Sequence, residues 1–203
     1  MPKIKLEPVL LCERCLTMNN QQYGKLVAEE LGLVQSQISV EETEAFIEVL
    51  SNSQAVFIAG AGRSGYMARG FAMRLMHMGL KSYMVGDTGT TAISKDDVLV
   101  ICSGSGETKS LVSMADKAKS LGAKVVLITI NPASTVGLLA DFTVRINAPS
   151  PKAVKEGDIK SVQPMGNLFE QSLLIYLDIC VILLMNKMEI DSEMMFTRHA
   201  NLE

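Results

Sequence analysis

Five short apolar runs, separated by segments with helical patterning, constrain the fold of this chain more than any other feature. The runs cover residues 55–59, 81–85, 98–102, 125–130 and 142–146. They are apolar on both faces, as strands are when layers of structure cover both sides of a sheet. The segments between them, at 64–78, 108–121 and 135–140, have the spacing of helices. Strands that alternate with helices form parallel sheets, so we predict an α/β fold.

Further helices are predicted near both ends of the chain. Residues 19–33 form an amphipathic candidate, and 39–50 begin with the capping signature Ser39-Val40-Glu41-Glu42. A third helix, at 165–188, is apolar on nearly every face and should be buried. In a chain this short, so much buried helix indicates a subunit interface.

The pattern predicts one main domain. Residues 1–40 form an N-terminal extension and helix, and 41–203 form the α/β domain with its C-terminal interface helix and tail. Between sheet and long helix, residues 148–163 are rich in Pro, Lys, Gly and Ser and predict a mobile loop.

Composition argues against several classes of protein. The 203 residues, of which 48% are hydrophobic, are enough to form the core of one domain. The 19 basic and 22 acidic residues leave no excess of positive charge for binding nucleic acid. The apolar stretch 173–185 contains Asp178 and looks too short to span a bilayer. The opening apolar run is broken by charged residues and proline, unlike a signal peptide. We expect no nucleic-acid or membrane partner and a cytoplasmic location.

The four cysteines predict neither disulfides nor a metal site. Cys12 and Cys15 form one C-x-x-C, which leaves zinc binding or redox chemistry open, but no second pair follows and the two histidines lie far away. Ordinary thiols are the favoured interpretation. Cys102 and Cys180 lie in apolar runs, where cysteine behaves as a small hydrophobe.

Two glycine-rich loops follow the first and third apolar runs, where open α/β sheets bind ligands. Glycine lets backbone amides approach an anion, and the following helix points its positive end there. Hydroxyl groups add donors without bulk. The candidate binding residues are Gly62, Arg63 and Ser64 in the first loop, and Ser103, Gly104, Ser105, Gly106, Glu107 and Thr108 in the second.

The first loop has two further interpretations. Gly60 to Gly65 fits G-x-G-x-x-G, the spacing of dinucleotide sites, and Asp87 lies close to where such a site places its ribose-binding acid. Two hydroxyl-rich loops at neighbouring strand ends fit one compact phosphate better than a dinucleotide. Glycine turns without a ligand remain the other alternative.

Glu170 is the candidate base. It lies in the first two turns of the long helix, where a carboxylate is favoured for electrostatic reasons alone. Its apolar neighbours Leu168, Phe169 and Leu173 would also remove it partly from water, and burial of this kind makes a carboxylate a stronger base. Among the histidines, His77 is expected to pack, and His199 lies close to the C-terminus.

Taken together, the motifs resemble those of a known family. They are Gly-Ala-Gly-Arg-Ser-Gly (60–65), Ser-Gly-Ser-Gly-Glu-Thr (103–108), Thr-Ile-Asn-Pro (129–132), Gln-Pro-Met-Gly-x-Leu-Phe-Glu-Gln (163–171) and Arg-His-Ala-Asn-Leu-Glu (198–203). In this order they are similar to the 6-phospho-3-hexuloisomerases, a branch of the sugar isomerase (SIS) domain family, from about Glu41 to Glu203. The last two motifs are specific to this branch.

The resemblance implies a three-layer sandwich with a five-stranded parallel sheet flanked by helices, a homotetramer, and no metal or organic cofactor. It implies conversion of D-arabino-hex-3-ulose 6-phosphate to D-fructose 6-phosphate, a step of ribulose-monophosphate formaldehyde fixation. Ser64 and the 103–108 loop would bind substrate, and Glu170 would accept the proton. His199 would assist, reaching a neighbouring subunit's site.

The chain departs from the family in two places. Residues 86–92 lack the proline-containing loop expected after the second strand, and the first eighteen residues match nothing in the family. Three rival functions remain: a non-catalytic SIS module that senses a sugar phosphate, a nicotinamide-dependent dehydrogenase, and an isomerase of another aldose–ketose phosphate pair.

Overall fold

A five-stranded parallel sheet forms the centre of the protein, as the apolar runs predict. A computed structural model describes residues 18–149 and 160–202. The strands pair in the order β2-β1-β3-β4-β5, and each pair is parallel. The strands are β1 Val56–Gly60, β2 Ser82–Met84, β3 Val98–Cys102, β4 Lys124–Thr129 and β5 Phe142–Arg145.

Helices cover both faces of the sheet, which confirms the three-layer α/β architecture. Those of one face pack in a core with Val98 and Val100, and those of the other pack around Leu99 and Ile101. The first group contains α1 Asn20–Gln35, α2 Val40–Asn52, α3 Gly62–His77 and α6 Asn167–Met188; the second contains α4 Lys109–Ser120 and α5 Thr135–Leu139. A short α7, Ser192–Phe196, follows α6.

The order of the strands brings the two glycine loops together. From β1 the chain passes through α3 to the edge strand β2, and from β3 it passes through α4 in the opposite direction, to β4. The reversal lies between β1 and β3, which are hydrogen-bonded neighbours with Gly60 paired to Cys102. Open α/β sheets bind ligands at such a reversal.

The first loop depends on a close contact between Gly60 and Gly65. A Cβ on Gly65 would lie 2.8 Å from the carbonyl oxygen of Gly60, and one on Gly60 would lie 2.9 Å from the Cα of Gly65. Both atoms that would be struck belong to the backbone and cannot rotate away. The first and last glycines of the G-x-G-x-x-G pattern therefore allow α3 to start directly above the end of β1.

The long helix α6 is buried on one side and exposed on the other. Leu173, Leu177 and Leu184 are buried, whereas Ile179 and Ile182 are exposed. We expected the apolar stretch 173–185 to be too short to span a bilayer. The helix that contains it runs for 22 residues, so the expectation about length was wrong. By length and composition alone α6 could cross a membrane, but one such helix is weak evidence for a membrane span, and half of its most apolar window is buried inside the protein.

The C-terminal tail packs against the end of α3. The ring of His199 stacks on that of His77 at 5.4 Å and on that of Phe196 at 5.7 Å between centroids. Arg198 donates a hydrogen bond to the carbonyl oxygen of His77. His77 is buried, as expected for a packing residue.

Two sequence predictions lie outside the described residues. The Cys12–Cys15 pair belongs to residues 1–17, and most of the predicted 148–163 loop belongs to residues 150–159.

Gly65→Ala should destabilise the protein by about 1–3 kcal/mol, because the new methyl group overlaps the Gly60 backbone. Urea unfolding measures the change. Gly24→Ala is the matched control: Gly24 lies in α1 with nothing within 4 Å of its Cβ position, so it should be neutral or stabilising by up to about 1 kcal/mol. Equal midpoints for the Gly65 variant and wild type would contradict the close-contact argument.

Acid should weaken the docking of the tail. Burial, the neighbouring charge of Arg74 and then that of His199 lower the pKa of His77. The unfolded chain therefore binds the proton more readily, and stability is lost as pH falls through the ordinary histidine range near about 6.5. The fall in melting temperature between pH 7.5 and pH 5.5 should be smaller in His77→Phe; an unchanged fall would exclude His77 as its source.

Candidate active site

A cavity of about 260 Å³ opens where β1 and β3 end, between the two glycine loops and the first turns of α6. Each of its three walls carries residues that the sequence singled out. The lining residues are Ala61, Ser64, Cys102, Ser103, Gly104, Ser105, Thr108, Ile130, Met165, Gly166, Phe169 and Glu170.

The first wall is the start of α3. Gly62 begins the helix with φ +57°, a left-handed conformation that glycine adopts at little cost. Ser64 lies in the first turn and faces the cavity. Within residues 18–149 and 160–202, the Ser64 hydroxyl makes no hydrogen bond to protein, so it remains able to bind a ligand.

The second wall is the 103–108 loop, which hydrogen bonds hold rigidly. The Oγ of Ser103 accepts from the Gly106 N–H at 3.1 Å. The carbonyl oxygen of Gly104 accepts from the Thr129 hydroxyl and from the Ile130 N–H, both at 3.1 Å. Neighbouring β4 thus fixes the loop, and a ligand would meet a preformed surface.

Thr108 ends the second loop as the residue that caps α4. Its side chain makes no capping hydrogen bond, yet it lines the cavity. Ser64 and Thr108 therefore line the cavity beside the N-termini of α3 and α4. Helix N-termini carry partial positive charge and unpaired N–H groups, a combination that binds anions.

The third wall is the start of α6, which carries Glu170. The side chain of Glu170 is 19% exposed, and its Oε2 lies 3.4 Å from the Nε of Arg63. Arg63 also donates a hydrogen bond to Asn167, one turn before Glu170. The expected partial burial is present, together with a cationic partner from the first loop.

Gly104 lets the second and third walls approach each other. A Cβ at this position would lie 3.1 Å from the Cδ1 of Phe169 and 3.3 Å from the Cδ1 of Ile130. Any side chain there would push against the residue next to Glu170. The spacing between the 103–108 loop and the Glu170 carboxylate therefore depends on this glycine.

Several predicted site residues lie beside the cavity and do not line it. Glu107 turns outward, where its carboxylate accepts from the Thr135 N–H at 2.9 Å and from the Thr135 hydroxyl at 2.8 Å. These bonds lower the pKa of Glu107, with the backbone bond the larger cause. Gly106, at φ +64°, passes so close to Ser134 that a Cβ would overlap its Oγ.

His199 lies at the opposite end of α3 from the cavity. It stacks on His77, whereas Ser64 occupies the first turn of the same helix. Thirteen residues of helix separate Ser64 from His77, about 20 Å at 1.5 Å per residue. Within its own chain His199 does not join the other predicted site residues.

Sequence reasoning missed Met165 and the Arg63–Glu170 contact. Met165 lines the cavity with its backbone at φ +56°, a strained conformation for a residue other than glycine. Backbone strain of this kind is concentrated at functional sites, but no local sequence pattern predicts it. The contact joins residues 107 positions apart, so only the folded chain reveals it.

Asp87 is not free to act as the ribose-binding acid that the dinucleotide interpretation requires. Both carboxylate oxygens of Asp87 accept from the same nitrogen of Arg69, at 2.7 and 3.0 Å. A ribose-binding acid needs those oxygens for the sugar hydroxyls. The 86–92 loop closes back on β2 instead, where the Thr90 hydroxyl donates to the Met84 carbonyl oxygen at 2.8 Å.

The cavity offers acid–base chemistry more readily than thiol or metal chemistry. Burial raises the pKa of Cys102 to about 12, so this thiol stays protonated at neutral pH and is a poor nucleophile. Across the described ranges, His, Cys, Asp and Glu side chains form no group of three that could hold a metal ion. Glu170 is the ionisable carboxyl group in the cavity wall.

Comparison with known proteins gives concordant matches. The chain is 47% identical over 186 residues to the 3-hexulose-6-phosphate isomerase of Bacillus subtilis (strain 168), covering 92% of this chain and 100% of that one. It is 40% identical to the enzyme of the same name from Mycobacterium gastri, covering 88% of each.

A solved structure is similar to this chain as well. A hypothetical protein from Methanococcus jannaschii, whose structure was described as inferring a function of 3-hexulose-6-phosphate isomerase, superposes with a TM-score of 0.76. The two are 34% identical, over 88% of this chain and 98% of that one. Residues 49–175, more than half of the chain, match the SIS domain. The chain therefore belongs to the SIS domain family.

Proposed function

We propose that this protein isomerises D-arabino-hex-3-ulose 6-phosphate to D-fructose 6-phosphate. The observation that carries the proposal is the shared cavity, in which a largely buried carboxylate faces two preformed anion-binding loops. Relatives named 3-hexulose-6-phosphate isomerase, 35–47% identical to the chain, support the choice of substrate. The reaction would consume the hexulose phosphate formed when formaldehyde adds to a pentulose phosphate.

The reaction moves a carbonyl group from C3 to C2 without any net oxidation. Glu170 removes the proton from C2, the C2–H electron pair forms the C2–C3 double bond, and the C3 carbonyl oxygen becomes the negatively charged oxygen of an enediolate. The proton of the O2 hydroxyl then passes to O3, the carbonyl forms at C2, and Glu170 returns its proton to C3. One carboxylate can serve both steps because it is a base in the first and an acid in the second.

The phosphate group would bind where α3 and α4 begin. Their N-terminal N–H groups and the hydroxyls of Ser64 and Thr108 are donors that need no rearrangement. Fixed donors of this kind also stabilise negative charge that develops during the reaction. Arg63, partly exposed beside Glu170, supplies the positive charge nearest to the enediolate.

Assembly into a homotetramer completes the proposed site. Tyr66 and Met73 on α3, and Ile179 and Ile182 on α6, are exposed apolar side chains on two helices that pack together. Exposed apolar side chains on neighbouring helices are typical of subunit interfaces. Because His199 lies about 20 Å along α3 from its own cavity, we assign it to the site of a neighbouring subunit.

Sugar phosphates are retained inside cells by their charge, so we place the enzyme in the cytoplasm.

Glu170→Gln should reduce turnover by about 10²- to 10⁴-fold, the usual contribution of a general base. Binding should survive, because the amide preserves the shape of the side chain and leaves the phosphate-binding loops intact. A coupled assay for fructose 6-phosphate measures turnover, and calorimetry measures binding of the product. Glu44→Gln, on the exposed face of α2, is the matched control and should behave as wild type. Full activity in the Glu170 variant would refute the assigned base.

A mixing experiment tests the place of His199. Glu170→Gln and His199→Ala should each have low activity alone. If His199 acts in a neighbour's site, a mixed assembly contains sites with Glu170 from one subunit and His199 from the other. Dissociating and reassembling the two variants together should then restore activity, whereas no recovery would place both residues in one subunit's site or exclude His199.

A further inference from the structure

Glu30 is a buried carboxylate that the proposed reaction does not use. It lies on α1, before the residues that match the SIS domain, and only 8% of it is exposed. Its two oxygens accept hydrogen bonds from the Ser161 hydroxyl at 2.7 Å, the Val162 N–H at 2.9 Å and the Gln163 side-chain amide at 3.0 Å.

In the described part of the chain, the Glu30 carboxylate makes these three hydrogen bonds. None of the ion pairs there includes Glu30. Burying a charged group is costly unless hydrogen bonds replace the lost water. Three donors from consecutive residues make that replacement, so the bonds hold the backbone at 161–163 firmly against α1.

The held segment leads directly to the base. Gln163 accepts a hydrogen bond from the side-chain amide of Gln171 at 2.7 Å, so the residue after Glu170 is tied to the residues that Glu30 holds. The carbonyl oxygen of Pro164 accepts from the N–H of Asn167, the first residue of α6. Between these contacts lies Met165, whose strained backbone persists only where its surroundings fix it.

A second contact joins α1 to the same turn of α6. The side-chain amide of Gln35 donates to the carbonyl oxygen of Ser172 at 2.8 Å. Glu30 and Gln35 lie five residues apart on α1 and act on the chain before and after Glu170. Helix α1 therefore contacts the chain on both sides of Glu170.

We propose that Glu30 is a positioning residue, which orients Glu170 through the 161–163 segment and Gln171. The proposal rests on the function proposed above, in which Glu170 moves the proton. Misplacing a catalytic group by about 1 Å can cost about 10²-fold in rate, so a contact two steps from the substrate can control turnover without touching it.

Glu30→Ala should lower kcat by about 10- to 100-fold and leave KM nearly unchanged, because the phosphate-binding loops do not depend on α1. Glu30→Gln keeps one acceptor oxygen but presents an amide to the Gln163 amide, so its loss should be intermediate. Glu29→Gln is the matched control: it changes the neighbouring residue of the same helix, whose side chain is 61% exposed, and should leave kcat unchanged.

A double variant separates positioning from general destabilisation. Gln163→Ala should lose part of the activity, and adding it to Glu30→Ala should cause little further loss, because both residues act through one contact. A purely structural role for Glu30 would lower the melting temperature while kcat per folded molecule stayed that of wild type. That result would overturn the proposal.

Hydrogen exchange makes the test independent of the substrate. In Glu30→Ala, amides within 161–171 should exchange faster than in Glu29→Gln, with the sheet unaffected. If wild-type protein does not convert hexulose phosphate, the proposed function fails, and faster exchange confined to 161–171 still supports the role of Glu30 in placing Glu170. Unchanged exchange in this segment would overturn that role.

Discussion

The close contact between the end of β1 and the start of α3 is the constraint on which the rest of the site depends. Gly60 and Gly65 meet backbone to backbone, so α3 begins directly above the strand and directs its N–H groups toward the space beyond the sheet. Because β3 pairs with β1 through Gly60 and Cys102, the second loop starts beside the first. The proposed anion-binding surface thus follows from the strand order and from two glycines.

The two halves of the site are fixed by different means. The half to which we assign phosphate binding rests on the sheet, since Thr129 and Ile130 at the end of β4 hold the 103–108 loop through Gly104. The half that carries Glu170 rests on helix packing, with α6 set against α3 and α1. Arg63 bridges them, because it belongs to the first loop and contacts Glu170. The proposed binding of phosphate and the proposed proton transfer therefore have separable structural origins.

The sequence predicted those parts of the protein that depend on local pattern. The five strands are confirmed because each is a run that two layers bury, and the helices because periodicity and caps such as Ser39 mark them. Contacts between distant segments of the chain have no local sequence pattern that predicts them. The pairing of Arg63 with Glu170, and of Glu30 with residues 161–163, depends on how α6 and α1 pack. Glu107 shows the reverse: its motif predicted a ligand contact, but its carboxylate faces Thr135.

Helix α6 explains how one element can serve both the site and the assembly. A helix that is apolar all round has more apolar surface than its own sheet can cover. Here one side packs on the core through Leu173, Leu177 and Leu184, and the other leaves Ile179 and Ile182 exposed. If neighbouring subunits cover that second side, they also fix the start of the helix, where Glu170 lies. Subunit association and the placement of the proposed base would then be linked, as our proposal requires when it assigns the base to one chain and the histidine to another.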